Sequence, residues 1–309
     1  MKTTIILICA LEEGRVVYNY FSNLHKKGKV NLLKVYSYED KVVPNKNMFV
    51  PLDNIVNHSI LKKIKNINSC KNEISKINPD FIFVAGWSQL IGKEIINASK
   101  KGTIGFHTAK LPKDRGRSTI AWQIEEGYKE TALTMFYIAE GIDNGDIIAQ
   151  KIITITPCDY VNDIISKMNT AIYDLLEIYF PILVRGKAPR IKQDEEQATY
   201  RRLRNDDMDC LIDWDLDSME IYNHIRAVSF PYPKAWTLYK GKKIRINKAI
   251  LINFFPETLY FFEKPGTIIG NLKGFWYLIK TRNGIIAIND LDQENICLLI
   301  GEILGEQTA

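Results

Sequence analysis

The chain has 309 residues, of which 46% are hydrophobic and 25% are charged, and this composition is typical of a globular protein. Its net charge is +5 at pH 7, and its lysines are scattered rather than gathered in one arm, so the charge suits a small phosphate-bearing substrate at least as well as a nucleic acid. No apolar segment approaches the roughly 20 residues that a membrane-spanning helix needs, which argues against a membrane protein.

The cysteines and the amino terminus bear on the cellular compartment. Five cysteines are present: Cys9, Cys70, Cys158, Cys210 and Cys297. Their number is odd and no paired spacing is seen, so we expect buried free thiols in a reducing cytosol and neither a disulfide framework nor a zinc site. The apolar start of the chain runs into Glu12 and Glu13 without a small-residue cleavage site, which favours a buried first strand over a signal peptide. We therefore expect a cytoplasmic protein that needs no metal.

Strands alternate with helices through the amino-terminal half. Strands are predicted over residues 5–10, 30–38 and 81–85, and helices follow the first strand and cover 59–77, 93–99 and 161–183. The loop after the first strand lacks the Gly-x-Gly-x-x-Gly pattern, so a dinucleotide is not predicted. The alternation itself predicts a parallel α/β sheet.

The stretch from Gly105 to Gln150 carries the strongest chemical signal. His107 follows a short β-type run, and after a basic loop and a short helix a second apolar run over 132–139 leads to Asp143. Both are expected at the ends of neighbouring strands, where parallel sheets place ligands. A carboxylate there would orient the imidazole and raise its basicity, which leaves the other ring nitrogen for a substrate proton. Taken singly, His107 is equally consistent with a core or loop histidine, and an Asx turn is the better interpretation of Asp143.

The remainder of the chain is predicted to form a linker and a small β domain. Residues 186–205 are polar and charged with few apolar residues, which is typical of a linker. After a helix over 218–228, short apolar runs separated by turn residues lie at 237–239, 243–252, 266–269, 275–280 and 284–288. We therefore expect one domain over 1–185 and a small barrel or open β-sandwich over 206–309.

The stretch that contains His107 and Asp143 resembles the signature of the formyl-tetrahydrofolate transferases. In that family the motif runs Asn-x-His-x-Ser-Leu-Leu-Pro, then Arg-Gly, then an Asp-x-Gly turn that ends in Ile-x-x-Gln. The matching residues of this chain are His107, Leu111, Pro112, Arg115, Gly116, Trp122, Gly127, Asp143, Gly145, Ile147 and Gln150. The resemblance implies a Rossmann-like domain followed by a small β-barrel-like, OB-like domain, with N10-formyltetrahydrofolate as the co-substrate that delivers the formyl carbon. It also implies that His107 helps to deprotonate an attacking amine and that Asp143 sets the protonation of His107.

The resemblance further assigns residues to two ligands. For the pterin of the folate, which the family holds through backbone groups, the corresponding residues are Trp87, Gln89, Leu90, Ile91, Ala139, Glu140, Gly141 and Ile142. For the acceptor substrate they are Gly105, Thr108, Arg115 and Gly116. Core packing is an equally good interpretation of Trp87.

One position departs from the family. The family's asparagine, two residues before the histidine, donates a hydrogen bond to the developing oxyanion, and Gly105 stands there instead. Loss of one such donor typically costs about a hundredfold to a thousandfold in rate. We expect Lys110, Thr108 or a backbone amide to replace it, and we place Lys110 among the catalytic residues because a cation stabilises an oxyanion. Lys110 is also consistent with a solvated loop lysine.

We expect the acceptor to be a nucleotide-linked amino sugar of the kind used in bacterial surface polysaccharides such as the O-antigen of lipopolysaccharide. The first alternative is an initiator-tRNA formyltransferase, which carries a basic insertion after its second strand, whereas the corresponding segment 37–47 is short and mixed in charge. The second alternative is a weak or inactive folate- or sugar-nucleotide-binding homologue, for which Gly105 is the only support. We expect neither a membrane nor a nucleic acid as partner and leave a homodimer open.

Overall fold

Two compact units make up the computed structural model, which describes residues 2–42, 49–252, 260, 262–272, 276–292 and 297–306. The first unit comprises Met1–Thr119, Glu130–Thr154 and Ile165–Arg201, and the second comprises Ile120–Lys129, Ile155–Ile164 and Arg202–Ala309. A seven-stranded sheet lies in the first unit and a five-stranded sheet in the second.

The first unit is built on a mixed sheet. Its strands are β1 (Thr3–Cys9), β2 (Val30–Tyr38), β3 (Leu61–Ile64), β4 (Phe81–Ala85), β5 (Gly102–His107), β6 (Arg115–Gly116), β7 (Glu130–Tyr137), β8 (Ile147–Thr154) and β9 (Tyr200–Arg201). The sheet has the order β3-β2-β1-β4-β5-β7-β8, and β6 pairs with β9. The first five strands in that order are parallel, whereas β7 is antiparallel to β5 and β8 is antiparallel to β7.

Helices bury both faces of the central strands. The helices of the chain are α1 (Leu11–Lys26), α2 (Lys71–Ile77), α3 (Lys93–Ile96), α4 (Thr119–Glu125), α5 (Val161–Val184) and α6 (Ser218–Val228). On one face of β4 the ring of Phe83 lies 4.5 Å from that of Phe21 in α1. On the other face Ile82 packs in one apolar cluster with Ile74 of α2 and Ile95 of α3. Burial on both faces explains why β4 is hydrophobic along its whole length.

The second unit contains an antiparallel sheet. Its strands are β10 (Ala235–Tyr239), β11 (Lys242–Leu251), β12 (Ile268–Leu272), β13 (Trp276–Lys280) and β14 (Ile285–Leu291), in the order β10-β11-β14-β13-β12. The backbone of 301–305 links the two edge strands, since Gly305 donates to the carbonyl of Leu238 in β10 and Leu304 donates to that of Gly266 before β12. This link gives the sheet the closed character of a small barrel.

The architecture confirms the predicted class, a Rossmann-like α/β sheet followed by a mainly β unit. The expectation of a wholly parallel first sheet is wrong at one edge, where β7 and β8 are antiparallel. Only residues 138–146 connect β7 to β8, and a parallel pair needs a crossover of about a dozen residues or more.

The lysine-rich segment 59–77, predicted as helical, contains strand β3 before α2. Pairing with β2 overrides the helix propensity of its lysines, whose ammonium groups reach acidic partners from the strand. Lys62 pairs with Glu73, and Lys63 lies 2.7 Å from Asp53. The helix predicted over 93–99 ends at Ile96, whose carbonyl accepts a 3.0 Å hydrogen bond from the hydroxyl of Thr103.

The polar segment 186–201, predicted as part of a linker, groups with the first unit, and Ile191 forms a backbone bridge with Ile147 of β8. The domain boundaries near residues 185 and 206 stay a prediction. Residues 43–47 of the segment compared with the tRNA enzymes and residue 275, where a strand was predicted to begin, lie outside the described residues.

None of the helices in the described part of the chain is long and apolar enough to cross a membrane. The same residues contain no group of three or more histidine, cysteine or acidic side chains that could hold a metal. The expectation of buried cysteines is wrong for Cys158, which lies in an exposed turn, and for Cys297, which lies in an exposed irregular segment. The other three cysteines are buried free thiols.

Asp80 joins the entry of β4 to β1 and gives the fold a pH dependence. Its carboxylate accepts hydrogen bonds from the amide and hydroxyl of Thr4 at 2.8 and 2.9 Å. Partial burial raises the pKa of this carboxyl, but the hydrogen bonds from Thr4 outweigh it, so the pKa lies below its usual value. A carboxyl whose pKa is lower in the folded state stabilises the fold at pH values above its unfolded pKa of about 4. This stabilisation is lost as the pH falls through the pKa of the folded state.

We therefore expect Asp80→Asn to lower the free energy of unfolding by about 1 kcal/mol at pH 7. Below pH 4 the difference should shrink, because a protonated aspartate resembles asparagine. Urea unfolding at several pH values measures this, with Glu177→Gln on the exposed face of α5 as the control. A stability difference that does not change between pH 7 and pH 3 would contradict the assignment.

Candidate active site

His107 ends strand β5 and is almost fully buried, with 7% of its surface exposed. Its Nε2 lies 2.7 Å from the backbone carbonyl oxygen of Asp114. A carbonyl oxygen only accepts hydrogen bonds, so Nε2 carries the proton and donates it, and Nδ1 of the neutral ring is left as an acceptor. The prediction that the nitrogen remote from Asp143 serves the substrate is wrong, because the Asp114 carbonyl holds that nitrogen.

Nδ1 of His107 faces the carboxylate of Asp143. The Oδ2 atom lies 3.6 Å from Nδ1, which is longer than a hydrogen bond, and accepts a 2.9 Å hydrogen bond from the amide of Gly116. While the ring is neutral, two acceptors therefore face each other without a shared proton. A group that brings N–H bonds, such as a primary amine or its ammonium form, satisfies both, and the ring nitrogen can then accept a proton from it.

Asp143 reaches His107 by a route that the sequence did not indicate. Because β7 is antiparallel to β5, Tyr137 at the end of β7 lies opposite Ile104, while His107 lies opposite Thr134. The loop after β7 must therefore return along β5 to bring Asp143 to His107, and Asp143 itself adopts a φ of +48°. The prediction placed the two residues together, but the reason given for it, neighbouring carboxyl ends of parallel strands, is wrong.

Arg115, which was assigned to the acceptor substrate, has a fully buried side chain. Its Nε and Nη2 donate to Oε1 of Gln193 at 3.1 and 2.8 Å, and its Nη1 and Nη2 donate to the two carboxylate oxygens of Glu195 at 2.8 and 2.7 Å. A further bond of 2.9 Å joins Nη1 to the hydroxyl of Tyr200. Hydrogen bonding to Glu195 raises the pKa of Arg115 above its usual value, so the guanidinium stays charged. All five N–H donors have partners within the chain, so Arg115 anchors this loop instead of binding a substrate.

Gln193 is a residue of the site that the sequence reasoning missed. Its Nε2 donates to the backbone carbonyls of Asp143 and Gly145 at 2.7 and 2.8 Å. It lies in the polar segment that was interpreted as a linker. The sequence offers one weak signal, since the segment contains glutamine and glutamate side chains that can accept hydrogen bonds from a buried arginine. This signal does not show which residue pairs with which.

Gly116 donates its backbone amide to the carboxylate of Asp143. Its φ is +104°, and a β-carbon at this position would lie 2.3 Å from the carbonyl oxygen of Arg201. Only glycine fits this approach between β6 and β9. Its amide therefore serves as a fixed donor to the Asp143 carboxylate.

The surroundings of Gly105 are tight for any side chain. A β-carbon on Gly105 would lie 3.0 Å from the side chain of Ile138 and 3.2 Å from the ring of Phe136. An asparagine at this position therefore requires Ile138 and Phe136 to shift by a few tenths of an ångström.

Lys110 lies on the surface, away from His107. Its ammonium is 3.5 Å from the carboxylate of Glu130, and the two side chains are 54% and 60% exposed. Glu130 precedes Thr134, the residue opposite His107, by four positions, which is on the order of 13 Å along the strand. This placement does not support the predicted catalytic role of Lys110.

Two further polar residues brace the loop after His107. The hydroxyl of Thr108, a candidate oxyanion donor, shares a 2.7 Å hydrogen bond with that of Thr119 at the start of α4. Gln150 donates to the carbonyl of Leu111 at 2.8 Å and to the hydroxyl of Thr134 at 3.0 Å. Both contacts hold the loop in place, and neither side chain needs a ligand for its hydrogen bonds.

The two loops assigned to the pterin lie next to each other. Trp87, Ile91 and Ile138 pack against the same apolar cluster, and Lys93 pairs with Glu140 at 2.7 Å. The residues Ala139, Glu140, Gly141 and Ile142 are exposed. Within the described residues, no hydrogen bond is formed by the backbone amides of 139–142.

Side-chain contacts hold the loop of residues 87–91 in place. Trp87 stacks on Tyr38 with 3.9 Å between the ring centroids, which agrees with the core-packing interpretation. Its Nε1 is buried and has no partner in the described part of the chain. The side chain of Gln89 bonds to the backbone of Lys65 and Ile67 at 2.7 and 3.1 Å, whereas Leu90 is 70% exposed.

The chain is similar in sequence and fold to known proteins. Residues 6–176 match the model of the formyl transferase family, and residues 205–297 match that of the formyl transferase C-terminal domain. Methionyl-tRNA formyltransferase of Desulforamulus reducens is 31% identical over 225 residues, which are 73% of this chain and 69% of that protein.

Two solved structures have the same fold. An N-formyltransferase from Helicobacter canadensis in complex with folinic acid and dTDP-3-aminofucose aligns with a TM-score of 0.69 and 20% identity over 94% of this chain and 100% of that one. HypX from Aquifex aeolicus in complex with tetrahydrofolic acid aligns with a TM-score of 0.67 and 15% identity over 94% of this chain and 44% of that one. Since the family model spans more than half of the residues, the chain belongs to the formyl transferase family, whose members are N-formyltransferase enzymes.

Proposed function

We propose that this protein transfers the formyl group of N10-formyltetrahydrofolate to the amino group of a nucleotide-linked amino sugar for a surface polysaccharide. The observation that carries the proposal is the pair of facing acceptors, Nδ1 of His107 and Oδ2 of Asp143, 3.6 Å apart. An amine nitrogen that lies beside the pair can donate a hydrogen bond to each of them, whereas a hydroxyl has only one proton to offer two acceptors.

The same geometry supplies the proton transfer. The folate brings an activated formyl carbon and N10 as the leaving nitrogen. The Asp143 carboxylate attracts the ammonium form of the substrate, which first releases one proton to solvent and becomes the neutral amine. His107 Nδ1 then accepts a second proton as the amine nitrogen bonds to the formyl carbon. The imidazolium that forms has an acceptor on each side, the Asp114 carbonyl and the Asp143 carboxylate. The proton can then return to N10 as the bond between N10 and the formyl carbon breaks, so that protons and bonds balance.

The two pterin loops fit a folate. Leu90 and Ile142 expose 70% and 45% of their surface and offer apolar contact to a flat ring. The amides of 139–142 and the buried Nε1 of Trp87 offer donors without partners in the described residues. Polar donors beside apolar surface are the usual means of holding a heterocycle.

The distribution of charge supports a small acceptor over an RNA. Residues 202–309 contain 13 lysines and arginines against 14 acidic residues. The connection from β2 to β3, over 39–60, has two lysines and three acidic residues. Grip on an RNA backbone is favoured by an excess of basic side chains, and neither region has one, although five basic residues stand between Lys240 and Lys248. The dTDP-3-aminofucose bound by the Helicobacter canadensis protein is an acceptor of the proposed kind.

Methionyl-tRNA formyltransferase is the second candidate, and the 31% identity to the Desulforamulus reducens enzyme favours it. Both candidates place an amine between His107 and Asp143, so the chemistry does not separate them. A weak or inactive homologue is the third candidate. It rests on Gly105 alone, whereas His107, Asp143 and their supports are all in place.

With formyl-tetrahydrofolate as donor, we expect a nucleotide-linked amino sugar to gain one formyl group, detected by mass spectrometry across a panel that varies sugar, base and amine position. The same nucleotide sugars with a hydroxyl in place of the amine serve as controls and should stay unchanged. Faster formylation of initiator methionyl-tRNA than of every sugar in the panel, together with salt-sensitive RNA binding, would instead support the second candidate.

His107→Ala and Asp143→Ala should each lower kcat by about 100-fold or more, because each removes one of the two acceptors, while folate affinity changes little. Lys110→Ala is the matched control and should keep the kcat of the unaltered protein, since its ammonium pairs with Glu130 on the surface. Steady-state kinetics and folate titration of the three variants measure this. A normal kcat for Asp143→Ala would refute the two-acceptor site.

Gly105→Asn should destabilise the protein by about 1–3 kcal/mol, because the new side chain competes with Ile138 for one space. In the Ile138→Ala background, Gly105→Asn should cost much less thermal stability than it does in the unaltered protein. If the missing asparagine limits the rate, the double variant should also turn over faster than Ile138→Ala alone. Melting temperatures and kcat of the set test this, and a Gly105→Asn protein with unchanged melting temperature would show that the site has room we have not recognised.

A further inference from the structure

Gln193 lies between the most buried charge of the first unit and the turn that carries Asp143. We propose that Gln193 is a positioning residue that sets the place of the Asp143 carboxylate beside His107 and thereby the rate of formyl transfer. The inference rests on the proposed function, because it takes Asp143 to act in that reaction.

The direction of the Gln193 amide follows from its neighbours. The guanidinium of Arg115 can only donate, and it donates twice to one atom of the amide, so that atom is the oxygen. The amide nitrogen must then point to the other side, where the carbonyls of Asp143 and Gly145 accept its two protons at 2.7 and 2.8 Å. Both sides of the amide are satisfied in one orientation only.

The turn that receives these bonds needs support. Asp143 has a φ of +48°, in the left-handed region that residues other than glycine adopt less often. Gly145 passes so close to Tyr137 that a β-carbon would lie 1.7 Å from its carbonyl oxygen. A backbone held in such a conformation persists only where its surroundings determine it, and the two hydrogen bonds from Gln193 do so here.

A short series of hydrogen bonds connects Arg115, through Gln193, to the carboxylate of Asp143. Arg115 is buried and fixed by Glu195 and Tyr200, so it gives the Gln193 amide a rigid base. The amide fixes the backbone of Asp143, whose carboxylate then meets the amide of Gly116 at 2.9 Å. A displacement of about 1 Å at such a carboxylate typically costs on the order of a hundredfold in rate.

Gln193→Glu separates the two sides of the amide. A glutamate keeps the shape and still accepts from Arg115, so the fold should retain its stability. Its second oxygen, however, meets the carbonyls of Asp143 and Gly145, and acceptors that face each other repel. We expect a normal melting temperature, a KM for formyl-tetrahydrofolate close to that of the unaltered protein, and a kcat lowered by about 10- to 100-fold. The matched control is Gln197→Glu, the same substitution at an exposed glutamine of the same segment, whose amide bonds to Asp194 at 2.8 Å, and it should keep the kcat of the unaltered protein.

A double-mutant cycle with Asp143→Ala distinguishes positioning from general support. If Gln193 acts through Asp143, Gln193→Glu should have no further effect on the single-turnover rate once Asp143 is alanine. Losses that multiply would overturn the proposal, as would a normal kcat for a folded Gln193→Glu protein. Should Gln193→Glu fail to fold, Gln193→Asn, which is one methylene too short to reach both sides, is measured in the same cycle. A normal rate for Asp143→Ala alone would instead refute the proposed function, so the two failures are distinct.

Discussion

The buried guanidinium of Arg115 is the interaction on which the rest of the site depends. A buried charge is tolerated only when its hydrogen bonds are met, and loss of one partner leaves N–H donors of the guanidinium without an acceptor. The partners of Arg115 come from Gln193, Glu195 and Tyr200, about 80 positions later in the chain. The charge therefore anchors the polar segment of residues 193–200 to the loop that follows His107. The short pairing of β6 with β9 lies beside this anchor.

From this anchor the remaining geometry follows. The fastened segment presents Gln193 to the turn of Asp143, and β6 presents the amide of Gly116 to the carboxylate. The loop after His107 turns its Asp114 carbonyl to the ring and fixes the tautomer. The result is a ring nitrogen and a carboxylate that face each other with no proton to share, which is a site for an amine in a chain whose family performs N-formyl transfer.

The sequence was informative where local pattern and function coincide. Alternating strands and helices, with a late run of short strands, predicted both sheets, and the motif around His107 and Asp143 predicted that the two lie together. The antiparallel course of β7 was not predictable from its residues, because an apolar strand reads the same in either direction.

Most of the errors in the site share one cause: they concern long-range contacts of polar residues. Arg115 looked like a ligand for an anionic substrate because a single arginine in a glycine loop does not reveal a partner some 80 positions away. Gln193 was overlooked because a polar segment without apolar periodicity is typical of a linker. Lys110 was chosen for its charge alone, and its partner Glu130 lies on another strand. Ile138 was unrecognised as the residue that fills the space beside Gly105.

The most direct test of this account is a crystal structure of the protein with a stable N10-formyl folate analogue bound. The account predicts the pterin against residues 87–91 and 139–142 and the formyl carbon within about 5 Å of Nδ1 of His107, with space for an amine between them. A folate that binds elsewhere, or a formyl group turned away from His107 and Asp143, would contradict it.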